Sequence, residues 1–191
     1  MTDIADLPIV AETERLVIRP WHPDDADRLF DLLRRPEVVR WIGGQAMTER
    51  HEAVALVDRY GAMLAAGPRF GAWAAVERVS GIPAGSVVLK PLPDGAGEIE
   101  IGWHFHPDSW GRGLATEAAA ALLARGFADG LDEIWAVTHL DNRPSASVCR
   151  RIGMRLLGVT HRWYHTPSLM FWAGMRAGQR PSLAPDEPHR S

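Results

Sequence analysis

Residues 107–116 read Pro107-Asp108-Ser109-Trp110-Gly111-Arg112-Gly113-Leu114-Ala115-Thr116, and this stretch decides the fold. Upstream of it, EIEIGWHF (98–105) alternates apolar and polar side chains as a strand does. Downstream, LATEAAAALLARGF (114–127) is rich in strong helix formers. Gly111 and Gly113 thus stand where a strand gives way to a long helix. Glycine lets backbone amides come close to a ligand, and a helix N-terminus adds free N–H groups and about half a positive charge. The turn reads as a cradle for a phosphate or pyrophosphate, with the Arg112 side chain and the Thr116 hydroxyl able to add contacts. The competing reading is a plain strand-to-helix turn whose glycines serve only its backbone conformation. A Walker A loop is excluded, because it needs Gly-Lys before Ser or Thr and the only lysine is Lys90. The dinucleotide fingerprint fits poorly: Thr116 stands where its third glycine belongs, and the next strand ends in Thr138 and His139, not an acid.

Outward from the turn, the chain alternates strands and helices. Glu14 to Pro20 reads as a strand, and His22-Pro23-Asp24-Asp25 opens a helix with Ala26, Leu29, Phe30 and Leu33 on one face. Thr48 is the expected cap of a second helix, with Ala53, Leu56, Val57, Tyr60 and Leu64 at helical spacing. Runs at 70–77, 85–90 and 98–105, separated by Pro/Gly turns, predict an antiparallel meander. A buried strand at 133–138, a helix from Pro144 to Ile152 stopped by Gly153, and a hairpin of 156–164 with 169–175 complete the order. Strand, helix and strand across 98–138 form one crossover, so the fold class is α/β with a mixed sheet. Gly102, inside its strand, marks a bulge or a close backbone approach. A strand splayed there would offer unpaired amides to an extended, thiol-ended cofactor arm.

The 191 residues suit one domain, expected over 1–177, with the Pro-rich segment 178–191 as a disordered tail. A net charge of −3 argues against a general nucleic-acid partner. The single cysteine, Cys149, excludes an internal disulfide framework and fits a reducing cytoplasm. Neither a membrane span nor a signal peptide is expected: no apolar run approaches about 18 residues, and MTDIADLPIV has no basic opening.

Four segments together resemble the GNAT superfamily of N-acetyltransferases, in particular its Rim-type branch of ribosomal-protein-alanine acetyltransferase-like enzymes: TERLVIRPWHPDDADRLFDLL, EIEIGWHFHP, WGRGLATEA and LDNRPSASVCRRIGM. The resemblance covers Thr13 to about Met175 in the expected order. It implies a central, mostly antiparallel twisted sheet with one splayed parallel pair, flanked by helices. It implies acetyl-CoA as donor, its pyrophosphate on the amides of Gly111, Arg112, Gly113, Leu114, Ala115 and Thr116 and its pantetheine arm along Phe105 and His106. It implies contacts from Asn142 and Ser145 to the same arm, and an acceptor that is a protein N-terminus, an amino acid or a small amine. One departure is Trp110, where the family pattern has Gln or Arg.

Moving an acyl group from a thioester to an amine requires a neutral amine, a stabilised oxyanion and a proton for the leaving thiolate. Amides at a bulge near Trp103 to Phe105 could polarise the carbonyl. Glu100 is the expected base, at the position where the resembling branch carries an acid, with Glu98 as backup; both could instead line a solvated strand face. Asn142 is expected to cap its helix. The general acid is open among Ser145, favoured by the resemblance, Cys149, which stands where many such enzymes have tyrosine, and Tyr164. His104 and His106 form an H-x-H pair, but no third ligand is well spaced, so no metal is expected. Trp41, Trp103 and Tyr164, with His161, Trp163 and His165, are candidate walls of the acceptor pocket. Other readings are a non-catalytic acyl-CoA sensor, transfer of another acyl group such as succinyl, and a nicotinamide-dependent oxidoreductase. Pairing of exposed sheet edges would give a homodimer.

Overall fold

The computed structural model describes residues 8–164, 166–176, 178 and 181–182. Most of the expected tail at 178–191 lies outside the described residues, as do residues 1–7 of the expected domain, His165 and Ala177. The chain begins with β1 (Ala11–Glu12) and β2 (Leu16–Pro20), then α1 (Ala26–Leu33), α2 (Pro36–Val39) and α3 (Arg50–Ala66). The meander β3 (Gly71–Glu77), β4 (Pro83–Pro91) and β5 (Ile99–Phe105) follows. Next come α4 (Leu114–Ala128), β6 (Glu133–His139), α5 (Arg143–Arg151), β7 (Arg155–Thr160) and β8 (Ser168–Gly174).

All eight strands form one sheet in the order β1-β2-β3-β4-β5-β6-β8-β7. Each neighbouring pair is antiparallel except β5 and β6, which run parallel because α4 carries the chain back to the same end. Leu16, Ile18, Val87, Leu89 and Ile101 pack on one face against Leu114, Ala118 and Leu122 of α4. Ala74 and Val76 pack on the other against Trp21, Leu29 and Leu32. The mixed sheet with helices on both faces is the architecture expected from the sequence.

Three local expectations are corrected. Thr48 does not cap α3; Glu49 does, in a reciprocal capping box with Glu52, while the Thr48 N–H and hydroxyl donate to the Glu52 carboxylate. Tyr164 lies past the end of β7, in the connection to β8. Gly102 makes no bulge, because β4 and β5 stay in register from Gly85–Phe105 to Pro91–Ile99. No protein atom lies within 4 Å of where its Cβ would stand, so no other part of the chain approaches it closely. The strand is opened from its other edge. β5 and β6 pair at a single position, Glu100 opposite Trp135, and diverge beyond it toward their C-terminal ends.

Candidate active site

The phosphate turn leaves β5 through a short 3-10 turn at Pro107–Ser109. It then reaches Gly111 (φ 73°) and Gly113 (φ 79°), left-handed conformations that a side chain would strain. Gly113 is the N-cap of α4, and no side chain caps it, so the first-turn amides of the helix are left for a ligand. The turn is held from behind. Arg15 forks onto Glu117 and donates to the Arg112 carbonyl at 2.8 Å. Arg112, on the cleft lining, forks onto Glu77 at 2.8 and 2.5 Å and so braces the turn.

A cleft of about 1080 Å³ runs from this turn between the splayed ends of the sheet. Gly111 to Thr116 line it, together with Trp103, His104, Phe105, Trp110, Asn142, Ser145, Trp41 and Arg40. Uncapped amides at one end of a cleft this large suit the pyrophosphate and arm of an acyl-CoA. Asn142 caps α5 as expected, its side chain accepting from the Ser145 N–H at 3.2 Å, and this places Ser145 on the cleft wall. The outer wall carries Trp41, its ring tilted by 53° against His139 at 5.6 Å and lying 4.4 Å beneath the Arg40 guanidinium.

Strand geometry fixes which amides face the cleft. The His106 N–H donates to the Ala84 carbonyl on β4, so alternation turns the N–H groups of Phe105 and Trp103 to the splayed edge. His106, expected beside Phe105 on the arm, instead turns its N–H away from the splayed edge and does not line the cleft. Its N–H is taken by Ala84, its carbonyl accepts from the Ser109 N–H, and its buried ring lies between Asp31 (2.9 Å) and the Asp108 carboxylate (2.8 Å). The Phe105 carbonyl is also occupied: Trp110 donates its indole N–H to it at 2.7 Å. Trp110 thus joins the phosphate turn to the strand edge.

Glu100 is 7% exposed and lies at the closed end of the splay. Its carboxyl accepts from the Tyr164 hydroxyl at 2.5 Å and lies 3.7 Å from the Lys90 ammonium. Burial pushes Glu100 above the usual carboxylate range, while Tyr164, Lys90 and the Val137 N–H oppose that rise. Glu98 is no substitute, since its carboxylate folds back to accept from the Ala96 N–H at 2.6 Å. His104 lines the cleft with its Nε2 unpartnered among the described residues; burial, reinforced by the Lys90 charge, pushes it down to about 4. Cys149 is fully buried off the cleft. Trp163 packs into the core at 5.9 Å from Trp135, so it walls no pocket. Among the described residues, no group of three or more His, Cys, Asp or Glu could hold a metal ion. No helix among them is long and apolar enough to cross a membrane.

The sequence alone did not single out Lys90, His104's buried, unpartnered nitrogen, or the Arg15–Glu117 brace. The register of the meander would have found Lys90, which stands directly opposite Glu100. Nothing local joins Arg15 to a residue 102 positions away.

The chain resembles known proteins over most of its length. It is 31% identical over 147 residues to the uncharacterized N-acetyltransferase YnaD of Bacillus subtilis, covering 76% of this chain and 82% of that protein. It is 27% identical over 157 residues to the uncharacterized N-acetyltransferase YoaA of the same organism, covering 82% and 88%. A solved acetyltransferase from Agrobacterium tumefaciens shares 26% identity at a TM-score of 0.72, over 91% of this chain and 98% of that one. The family described as "Acetyltransferase (GNAT) domain" matches residues 15–155, from β2 through the cradle and both splayed strands. With that match running through every part of the cleft, the chain belongs to the GNAT acetyltransferase family.

Proposed function

We propose that the protein transfers an acetyl group from acetyl-CoA directly to a primary amine, within a ternary complex in the cleft. The observation that carries this reading is the splay of β5 from β6 beside an uncapped helix N-terminus, with a buried carboxylate where the two strands last pair. Acetyl-CoA supplies an activated acyl group on a thiol that can leave. The amides of Gly111 to Thr116 hold the pyrophosphate, and the splayed edge at Trp103 and Phe105 pairs with the arm. The same N–H groups stabilise the negative charge that develops on the acyl oxygen. Asn142 and Ser145 flank the arm at the start of α5.

Glu100 is the base that takes a proton from the acceptor ammonium, directly or through one water. The neutral nitrogen then forms the new C–N bond as the C–S bond breaks. The acylated nitrogen sheds its second proton, and this passes through the Ser145 hydroxyl on the cleft wall to the departing thiolate. The acceptor enters between Trp41 and His104, whose neutral imidazole can hydrogen-bond an amine without repelling its charge. We assign the acceptor to the Rim-type class of protein N-termini, amino acids and small amines.

Thiol release from acetyl-CoA, measured with peptides of free N-terminus, free amino acids and spermidine as acceptors, tests this function. Multiple turnover is expected with at least one acceptor. Tight CoA binding without turnover on any of them would overturn transferase activity in favour of a binding protein.

A further inference from the structure

After β7 the chain turns back over the sheet through Trp163, a buried residue at a φ of 64°. That turn sets the phenol of Tyr164 on Glu100, its hydroxyl donating to Oε2 over 2.5 Å. From the neighbouring strand, Lys90 holds its ammonium 3.7 Å from the same oxygen and 5.7 Å from the centre of the tyrosine ring. A cross-strand Lys–Glu pair is ordinary on a wet surface and worth little there. Here the carboxylate is 7% exposed, and a buried charge persists only where partners replace its water. Lys90 is the chain's one lysine, and it stands in register with that acid.

We propose that Tyr164 and Lys90 are positioning residues for transfer: one hydrogen bond and one charge favour the Glu100 carboxylate over its acid form and fix it in a single orientation for the acceptor's proton. The proposal rests on the reading of Glu100 as the base. The groups facing Glu100 are Lys90 from β4, the Val137 N–H from β6, Tyr164 from the β7–β8 connection, and His104 on its own strand. His104 is held neutral and adds no charge. Tyr164 stays a protonated donor, because burial, then the Glu100 charge and hydrogen bond, push its phenol up. The family match ends at residue 155, so Tyr164 lies outside the part of the chain it covers.

Carboxyl-labelled (13C) glutamate in the whole protein provides the test. The resonance lost in Glu100→Gln belongs to Glu100, and its titration is followed in wild type, Tyr164→Phe, Lys90→Met and Lys90→Arg. Removing either partner favours the protonated form, so Tyr164→Phe and Lys90→Met should each raise the midpoint by about one unit. Lys90→Arg keeps the charge and should hold the midpoint near that of wild type. The remaining glutamate resonances report an intact fold, and either single variant suffices if the other fails to fold. Unchanged midpoints in Tyr164→Phe and Lys90→Met would overturn the proposal alone. Full turnover by Glu100→Gln would overturn the base assignment, and the proposal with it.

Discussion

Cys149 has no exposed surface, and its burial where α5 packs on the sheet pushes the thiol up to about 12. With Val148 and not itself on the cleft wall, this buried thiol is packing. Cys149, which the resemblance put forward as a proton donor, thus stands off the cleft, and we assign the proton transfer to Ser145. Cys149→Ala should keep kcat within about twofold while lowering stability by about 1 kcal/mol. Thiol-release kinetics and chemical denaturation measure the two, and a tenfold loss of kcat at retained stability would return Cys149 to the chemistry. Trp110 illustrates the opposite case. This departure from the resembling pattern has a definite partner, the Phe105 carbonyl.

Among elements, the N-terminus of α4 carries the binding claim. Its amides are uncapped, and Gly113 occupies a left-handed conformation with only the Arg15 guanidinium nearby, at 3.5 Å from a would-be Cβ. Gly113→Val places a β-branched residue at φ 79° and should weaken CoA binding about tenfold or more, read by calorimetric titration. Unchanged affinity would remove the turn from the site. This element was legible in the sequence because every cue is local: a period of two ends, two glycines follow, and a helical run begins. The Gly153 stop of α5 was legible for the same reason, and Met154 N–H to Cys149 O and Gly153 N–H to Arg150 O close it as a Schellman turn. Two-residue β1 and four-residue α2 were missed, since neither is long enough to show a period. Gly102 was misread because a strand glycine announces irregularity without saying which edge opens.

At the scale of the whole molecule, the order of strands makes the site. The crossover through α4 sets β5 and β6 parallel, and their divergence beyond Glu100 opens the cleft under the helix that holds the cradle. Glu100 itself was legible, from its place on the strand and from the acid that the resemblance puts there. Its partnership with Tyr164 was not, because it spans 64 residues and depends on where a connection folds back. The outer wall of the cleft is likewise assembled from α2 and the residues just after it, β5 and the β6–α5 connection, which no single stretch of sequence joins. A crystal structure of the protein with CoA bound tests this arrangement most directly. The account predicts pyrophosphate oxygens accepting from amides between Gly111 and Thr116, and a thiol lying in the splay beside the Trp103 and Phe105 amides. A pyrophosphate bound away from the start of α4, or a thiol lying outside the gap between β5 and β6, would contradict it.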